Sequence, residues 1–274
     1  MCAPGCMEHV RSRLSRRRFF KGTGAAAAAA VAAAWASGEA QAQTFPRFSR
    51  VADLTHTHSP TFPTFFGTPG VTLKRLKELK ADGFNMFEWT VVEHSGTHMD
   101  APIHFSTGGD TVDMLPASQL VLPLAVIDVA AKAAANPDYQ VTPGDLRAWE
   151  RRHGRLPRGC CAAMHSGWAR HVGSDRFLGR DAQGGLHFPG FHPEAADWLM
   201  KERRVRGMAV DTLSLDYGAS KDFKTHYAWL PSGRWGLECV ASLDRVPPRG
   251  ATLVVGAPKI RGATGGPTRL LALI

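Results

Sequence analysis

Apolar and polar positions change period several times along this chain, and the changes mark its elements. Over residues 86–93, Phe87, Trp89 and Val91 alternate with Glu88, Thr90 and Val92, a period of two that predicts a strand with its aromatics on one face. Over residues 72–82, Leu73, Leu76 and Leu79 recur three apart, which predicts a helix with Gly83 as its stop. Further strands are predicted over residues 50–54, 120–129, 162–168, 208–215, 252–255 and 268–274. Thr142-Pro143-Gly144-Asp145 supplies a capping hydroxyl, a first-turn proline and an acid, so a helix opens there and ends at Gly154. Another helix is predicted over residues 193–204. Strand and helix signals alternate with no internal repeat and no linker, which indicates a single α/β domain around a mixed sheet.

The first 42 residues follow a different pattern. Ser15-Arg16-Arg17-Arg18-Phe19-Phe20-Lys21 leads into a stretch of 16 residues made mostly of alanine, then Ala40-Gln41-Ala42. This order matches a twin-arginine export signal with a small-residue cleavage site. The stretch falls short of the roughly 18–20 strongly apolar residues that a spanning helix needs. The expectation is therefore a periplasmic protein of residues 43–274, with the twin-arginine machinery as a transient partner and no stable membrane span after cleavage.

Location changes the meaning of the charge. The chain carries 33 Lys and Arg against 24 Asp and Glu, a formal +9. Six of those cations and two of the acids lie in the signal, so the remainder is only about +5. Its cations are dispersed apart from Lys201-Glu202-Arg203-Arg204, which reads as an exposed helix end, and no aromatic-interleaved basic stripe points to nucleic acid. Beyond the signal only Cys160, Cys161 and Cys239 remain. That odd number gives no disulfide framework, and the adjacent pair reads as small buried residues.

The densest chemistry lies between Glu93 and Phe105, where His94, His98, Asp100 and His104 fall within eleven residues. Imidazole and carboxylate together suit divalent first-row metals, and Gly96 and Pro102 supply turns that bring such donors to one point. Spacing alone leaves open which of the four is a base and which are ligands. Trp89 and Phe62, with Phe65 and Phe66, are candidates for an aromatic wall against a planar small-molecule substrate.

The segment from His94 to His104 resembles the HxGTHxDxPxH signature of the cyclase-type metal-dependent hydrolases, the family of bacterial kynurenine formamidases and isatin hydrolases. Asp53-Leu54-Thr55-His56 resembles the family's opening DLSH, and the segments from His165 to Trp168, Val210 to Asp216 and Gly266 to Leu270 resemble its later motifs. The resemblance implies a swivelling β/β/α fold and a homo-oligomer. It implies that His94, His98 and Asp100 bind a first divalent metal, that Asp100, His226 and Glu238 can hold a second, and that His104 is the catalytic histidine. The metal so implied is zinc or manganese, one or two ions per chain. The activity so implied is cleavage of the C–N bond of a small amide, formamide or cyclic amide by metal-activated water, with His104 relaying the proton. Two other readings are a metal-dependent cyclase or lyase acting on a polyketide-like ring, and a periplasmic protein that binds a metal or small molecule without turnover. An intact His104 argues against the last, because a binder needs no proton relay.

Overall fold

The computed structural model describes residues 48–274, so the signal assigned to residues 1–42 lies outside the described residues. In chain order come β1 (Val51–Asp53), β2 (Val71–Lys77), the short helix α1 (Leu79–Asp82), β3 (Met86–Val91), β4 (His98–Asp100) and β5 (Val121–Asp128). Helix α2 (Ala130–Ala135), β6 (Gln140–Val141), helix α3 (Pro143–His153), β7 (Cys161–His165) and β8 (Gly190–Phe191) follow. The rest comprises helix α4 (Pro193–Lys201), β9 (Gly207–Val210), helix α5 (Lys224–Trp229), β10 (Trp235–Glu238), β11 (Thr252–Gly256), β12 (Gly265–Pro267) and β13 (Arg269–Leu273).

Nine strands make one mixed sheet in the order β1-β13-β11-β5-β7-β9-β10-β4-β12. Its centre, β5-β7-β9-β10, is parallel, and both flanks are antiparallel. Strands at the centre of such a sheet are covered on both faces, which explains why β7 and β9 read as unbroken apolar runs. Within β5 the period of two divides the residues between two cores. Leu124 and Val126 pack with Met99, Trp235, Leu253 and Leu270, whereas Ala125 and Ile127 pack with Leu146, Met164, Leu199 and Trp229 beneath the helices. Helix α3 starts where the sequence places it, in a reciprocal cap. The Thr142 hydroxyl accepts from the Asp145 amide, and the Asp145 carboxylate accepts from the Thr142 amide at 2.8 Å. The three cysteines are free and buried.

The helix expected over residues 72–82 is corrected by the structure. Val71–Lys77 is a strand, paired antiparallel with Met86–Val91 so that Val71 faces Val91, Leu73 faces Trp89 and Arg75 faces Phe87. Only Leu79–Asp82 is helical, and Gly83 ends it in the left-handed conformation as the sequence indicates. Leucines three apart satisfy a helix, but Val71 and Leu73 also satisfy a period of two. Cross-strand contacts decide between them, including the Arg75 guanidinium 4.7 Å above the Phe87 ring. An isolated helix of this length would be marginal in water.

Glycine is required where β12 meets β4. Gly265 lies opposite Asp100, and a Cβ there would overlap the Met99 carbonyl oxygen and come within 2.7 Å of the His94 ring. Gly265→Ala is expected to cost about 1–3 kcal/mol in urea unfolding through this overpacking. Gly108→Ala, where a Cβ meets nothing within 4 Å, is expected to stay within about 0.5 kcal/mol of the parent.

Candidate metal centre and active site

Strand β4 carries His98 and Asp100 two residues apart, so both project from the same side, and its neighbours fit around them. On one flank Glu238 lies opposite His98 and Gly236 opposite Asp100; on the other Gly265 is opposite Asp100. Gly236 leaves room for the Asp100 carboxylate, whose Oδ2 would lie 3.3 Å from a Cβ there, and Gly265 leaves room for the His94 ring. The His98 Nε2 is 3.4 Å from Asp100 Oδ1 and 3.3 Å from Glu238 Oε2. Helix α5 adds His226, whose Nε2 is 3.2 Å from Glu238 Oε1 and 3.6 Å from Asp100 Oδ2. His94, in the loop before β4, places Nδ1 2.7 Å from Asp100 Oδ1.

The outer nitrogens of these rings fix the inner ones. His98 Nδ1 donates to the Gly96 carbonyl at 2.9 Å, and His226 Nδ1 donates to the Asp216 carboxylate at 2.6 Å. Asp216 also accepts from the Thr225 and His226 amides, which ties down the start of α5. The Thr264 hydroxyl donates to Glu93 and so accepts from His94 Nε2, 2.8 Å away. By this network the remaining nitrogens, Nε2 of His98 and His226 and Nδ1 of His94, all face the carboxylates. His98 Nε2 and Asp100 Oδ2 are both buried without a hydrogen-bond partner. Imidazole nitrogens and carboxylate oxygens converging in this way need positive charge between them, as ring protons or as a cation, and the donor set fits a divalent metal.

The protonation preferences carry the same message. Burial presses the His98 imidazole down, but Asp100 and Glu238 outweigh it and hold the ring up to about 10. His226 is likewise raised, with Asp100, Asp216 and Glu238 overcoming its burial. Burial works to raise Asp100, yet His226, His94 and His98 keep it well below the usual carboxylate range. Burial and the Asp100 charge raise Glu238, and His226 and His98 bring it below its ordinary value. Two protons or one divalent ion meet the same electrostatic need.

His104 behaves differently. It sits in the single turn Pro102–Phe105 and stacks on His94, with centroids 3.7 Å apart and planes 18° from parallel. Burial pushes its imidazole down to about 4, so it is neutral at pH 7 and free to take a proton. The ring borders a cavity of about 270 Å³ that has His98, His226 and Glu238 at its polar end. Phe65, Phe66, Phe105 and Phe223 form apolar walls. Two wider clefts, about 370 and 580 Å³, share His165 and Asp244 but hold no such convergent donor set among the described residues.

The structure thus brings together all six of the ligand and catalytic positions expected from the sequence. It does not bring Phe62 or Trp89 to this cavity. Phe62 is buried against Trp168, Phe177 and Phe188, and Trp89 is 70% exposed on the β2-β3 hairpin, lining a separate groove with Leu73 and Ile260. The residues missed by the sequence reading are Phe105, adjacent to His104, and Phe223, one helical turn before His226. The orienting roles of Glu93 and Thr264 also went unread, because they reach His94 through a partner distant in the chain, as did that of Asp216, which the turn into α5 brings back onto His226.

Comparison with known proteins agrees with this geometry. The Cyclase family model matches residues 52–217. An isatin hydrolase of Roseibium aggregatum is 35% identical over 218 residues, covering 76% of this chain and 82% of that protein. The structure of isatin hydrolase A from Labrenzia aggregata bound to benzyl benzoate superposes with a TM-score of 0.77 at 34% identity, covering 82% of this chain and 93% of that one. An isatin hydrolase bound to the product analogue thioisatinate gives 0.76 at 31% identity, over 92% and 99%. With more than half its length matched by the family model, the chain belongs to the Cyclase family.

Proposed function

We propose that this protein is a metal-dependent hydrolase that opens the C–N bond of a small planar amide, with isatin, a cyclic amide, as the reference compound. One observation carries the reading: a neutral imidazole, His104, stands beside a buried donor set at the polar end of an aromatic-walled cavity. The relatives named for isatin hydrolysis support the substrate class.

His94, His98 and Asp100 would hold a divalent ion, zinc or manganese. Asp100 turns its second oxygen toward His226 and Glu238, which supports a second ion there. Such an ion supplies a Lewis acid that acidifies water and polarises an amide carbonyl. The protein's own groups do the rest. The phenylalanine walls exclude bulk water and hold a flat ring. His104 takes the proton of the attacking water, then returns it to the departing nitrogen, which leaves poorly as an anion. Asp216, Gly96 and the Thr264–Glu93 pair hold the ligand rings in one tautomer throughout.

Two properties of the whole molecule belong to the same reading. The protein is exported by the twin-arginine route and works in the periplasm; no helix of the described residues is long and apolar enough to cross a membrane. It also assembles as a homo-oligomer through the β2-β3 hairpin. Eight apolar side chains from Leu73 to Val91 are 39–70% exposed there.

Metal analysis of the mature protein is expected to give about two ions per chain, falling to about one in Glu238→Ala. His104→Ala should keep its metal while isatin hydrolysis drops at least about a hundredfold. A metal-free parent, or a fully active His104→Ala, would sink the proposal. Mass analysis of periplasmic protein should find a chain beginning at Gln43, and an uncut chain confined to the cytoplasm would count against export. Light scattering should give a dimer or larger for the parent and a monomer for the double variant Leu73→Asp, Trp89→Asp; a monomeric parent would refute assembly through the hairpin.

A further inference from the structure

Strands β7, β9 and β10 run parallel, so the three connections that enter them meet at one end of the sheet: residues 154–160 before β7, 202–206 before β9 and 230–234 before β10. Arginines far apart in the sequence are gathered there: Arg155, Arg158, Arg203, Arg204, Arg206 and Arg234. Hydrogen bonds lace the connections together. The Gly159 amide donates to the Arg204 carbonyl at 3.2 Å, the Arg206 amide to the Cys160 carbonyl at 2.9 Å, and the Arg206 guanidinium to the Gly233 carbonyl at 3.3 Å. Arg155, Arg158, Arg203 and Arg204 frame a single cleft of about 300 Å³.

Acids on this face do not balance the arginines. Glu150 is taken up by Arg203, through contacts of 2.7 and 2.9 Å, while that guanidinium lies 4.3 Å over the Trp198 ring. Glu202 Oε2 is 3.9 Å from the same Arg203. Among the described residues the other five arginines have no carboxylate oxygen within 4 Å. Burial, and after it the Arg206 charge, lower the proton affinity of Arg234. Arg204 keeps a charged side chain at φ 51°, where glycine would be unstrained. Like charges held together at such a cost are relieved by an anionic partner.

We propose that this arginine face docks the protein on a bilayer surface through the phosphate groups of anionic phospholipids. Docking of this kind is independent of what the metal centre hydrolyses. Guanidinium forks match phosphate oxygens, and arginines spread over three connections reach more than one head group. None of the large apolar side chains exposed by the described residues lies in these connections, so contact stays at head-group level, reversible and salt-dependent. The same lack of exposed aromatics gives single-stranded nucleic acid no stacking platform. Glu238 ends β10 and Arg234 precedes its start, so the metal centre stays on the side away from lipid.

The test is cosedimentation of the metal-loaded mature protein with vesicles of phosphatidylcholine containing about one-third phosphatidylglycerol, at about 50 mM salt. The parent should bind these vesicles, ignore pure phosphatidylcholine and be released at about 0.5 M salt. Each cation near such a surface contributes roughly fivefold in partitioning, so the triple variant Arg155→Gln, Arg158→Gln, Arg204→Gly should bind about a hundredfold more weakly. Glycine suits the left-handed position, and this variant should melt close to the parent. The triple variant Lys74→Gln, Lys80→Gln, Lys259→Gln removes as much charge from exposed positions elsewhere, and should lose less than about fivefold. A parent that does not bind, an equal loss in both triple variants, or tighter binding to a single-stranded oligonucleotide than to the vesicles overturns the proposal. Should the arginine triple variant not fold, Arg158→Gln against Lys80→Gln decides alone, with a loss of about fivefold expected only in the first.

Discussion

Asp100 and Glu238 are two carboxylates buried on adjoining strands, and the rest of the site answers to that placement. Uncompensated, such a pair would be severely destabilising in a low-dielectric interior. Three imidazoles turn toward it, and each is held by a second group. The Gly96 carbonyl holds His98, Asp216 holds His226, and Thr264 with Glu93 holds His94. The glycines on either side of Asp100 follow from the same crowding, since a side chain at Gly236 would press on the Asp100 carboxylate and one at Gly265 on the His94 ring. A metal-binding protein of this kind is thus built outward from a charge imbalance that a cation completes.

The polar end and the apolar walls divide the chemistry. His98, Asp100, Glu238 and His226 arrive on β4, β10 and α5, elements fixed by sheet pairing and by the Asp216 anchor, and His94 arrives on the loop that leads into β4. The phenylalanine walls come from turns and loops around them, where the chain changes direction. His104 sits at the junction, on a single turn rigidified by Pro102 and stacked on His94. Its low proton affinity comes first from burial, with the neighbouring His94 and His226 rings adding to it, and this separates it from His98 and His226, whose affinities are raised by carboxylates.

Local signals in the sequence were reliable where one periodicity or one motif had no competitor. The cap at Thr142, the parallel strands and the cluster from His94 to His104 are of this kind. Residues 72–82 had two periods available, and the choice of strand rests on Trp89 and Phe87 across the hairpin, contacts with no trace in the segment itself. His226 and Glu238 lie far along the chain from Asp100, and only family resemblance linked them to it. Phe62 and Trp89 show the opposite limit. Aromatic character marked both as wall residues, but one points into a packed cluster and the other into solvent, and composition does not encode direction.

Thr97 shows how a motif residue can matter without touching metal or substrate. Its hydroxyl donates to the Cys239 carbonyl at 2.6 Å and accepts from the His56 amide at 2.9 Å. Cys239 follows Glu238 directly and is left-handed, at φ 53°, so the chain turns sharply as soon as that ligand has been placed. The Cys239 amide donates to the Thr212 carbonyl, which gives the turn a second tether. A threonine next to His98 therefore clamps the strained bend beside Glu238, joining the two ligand strands at the point where the backbone would otherwise relax. Left-handed backbone at Phe223, φ 48°, and at Cys239 brackets His226 and Glu238, and in both places hydrogen bonds to neighbouring groups offset the strain.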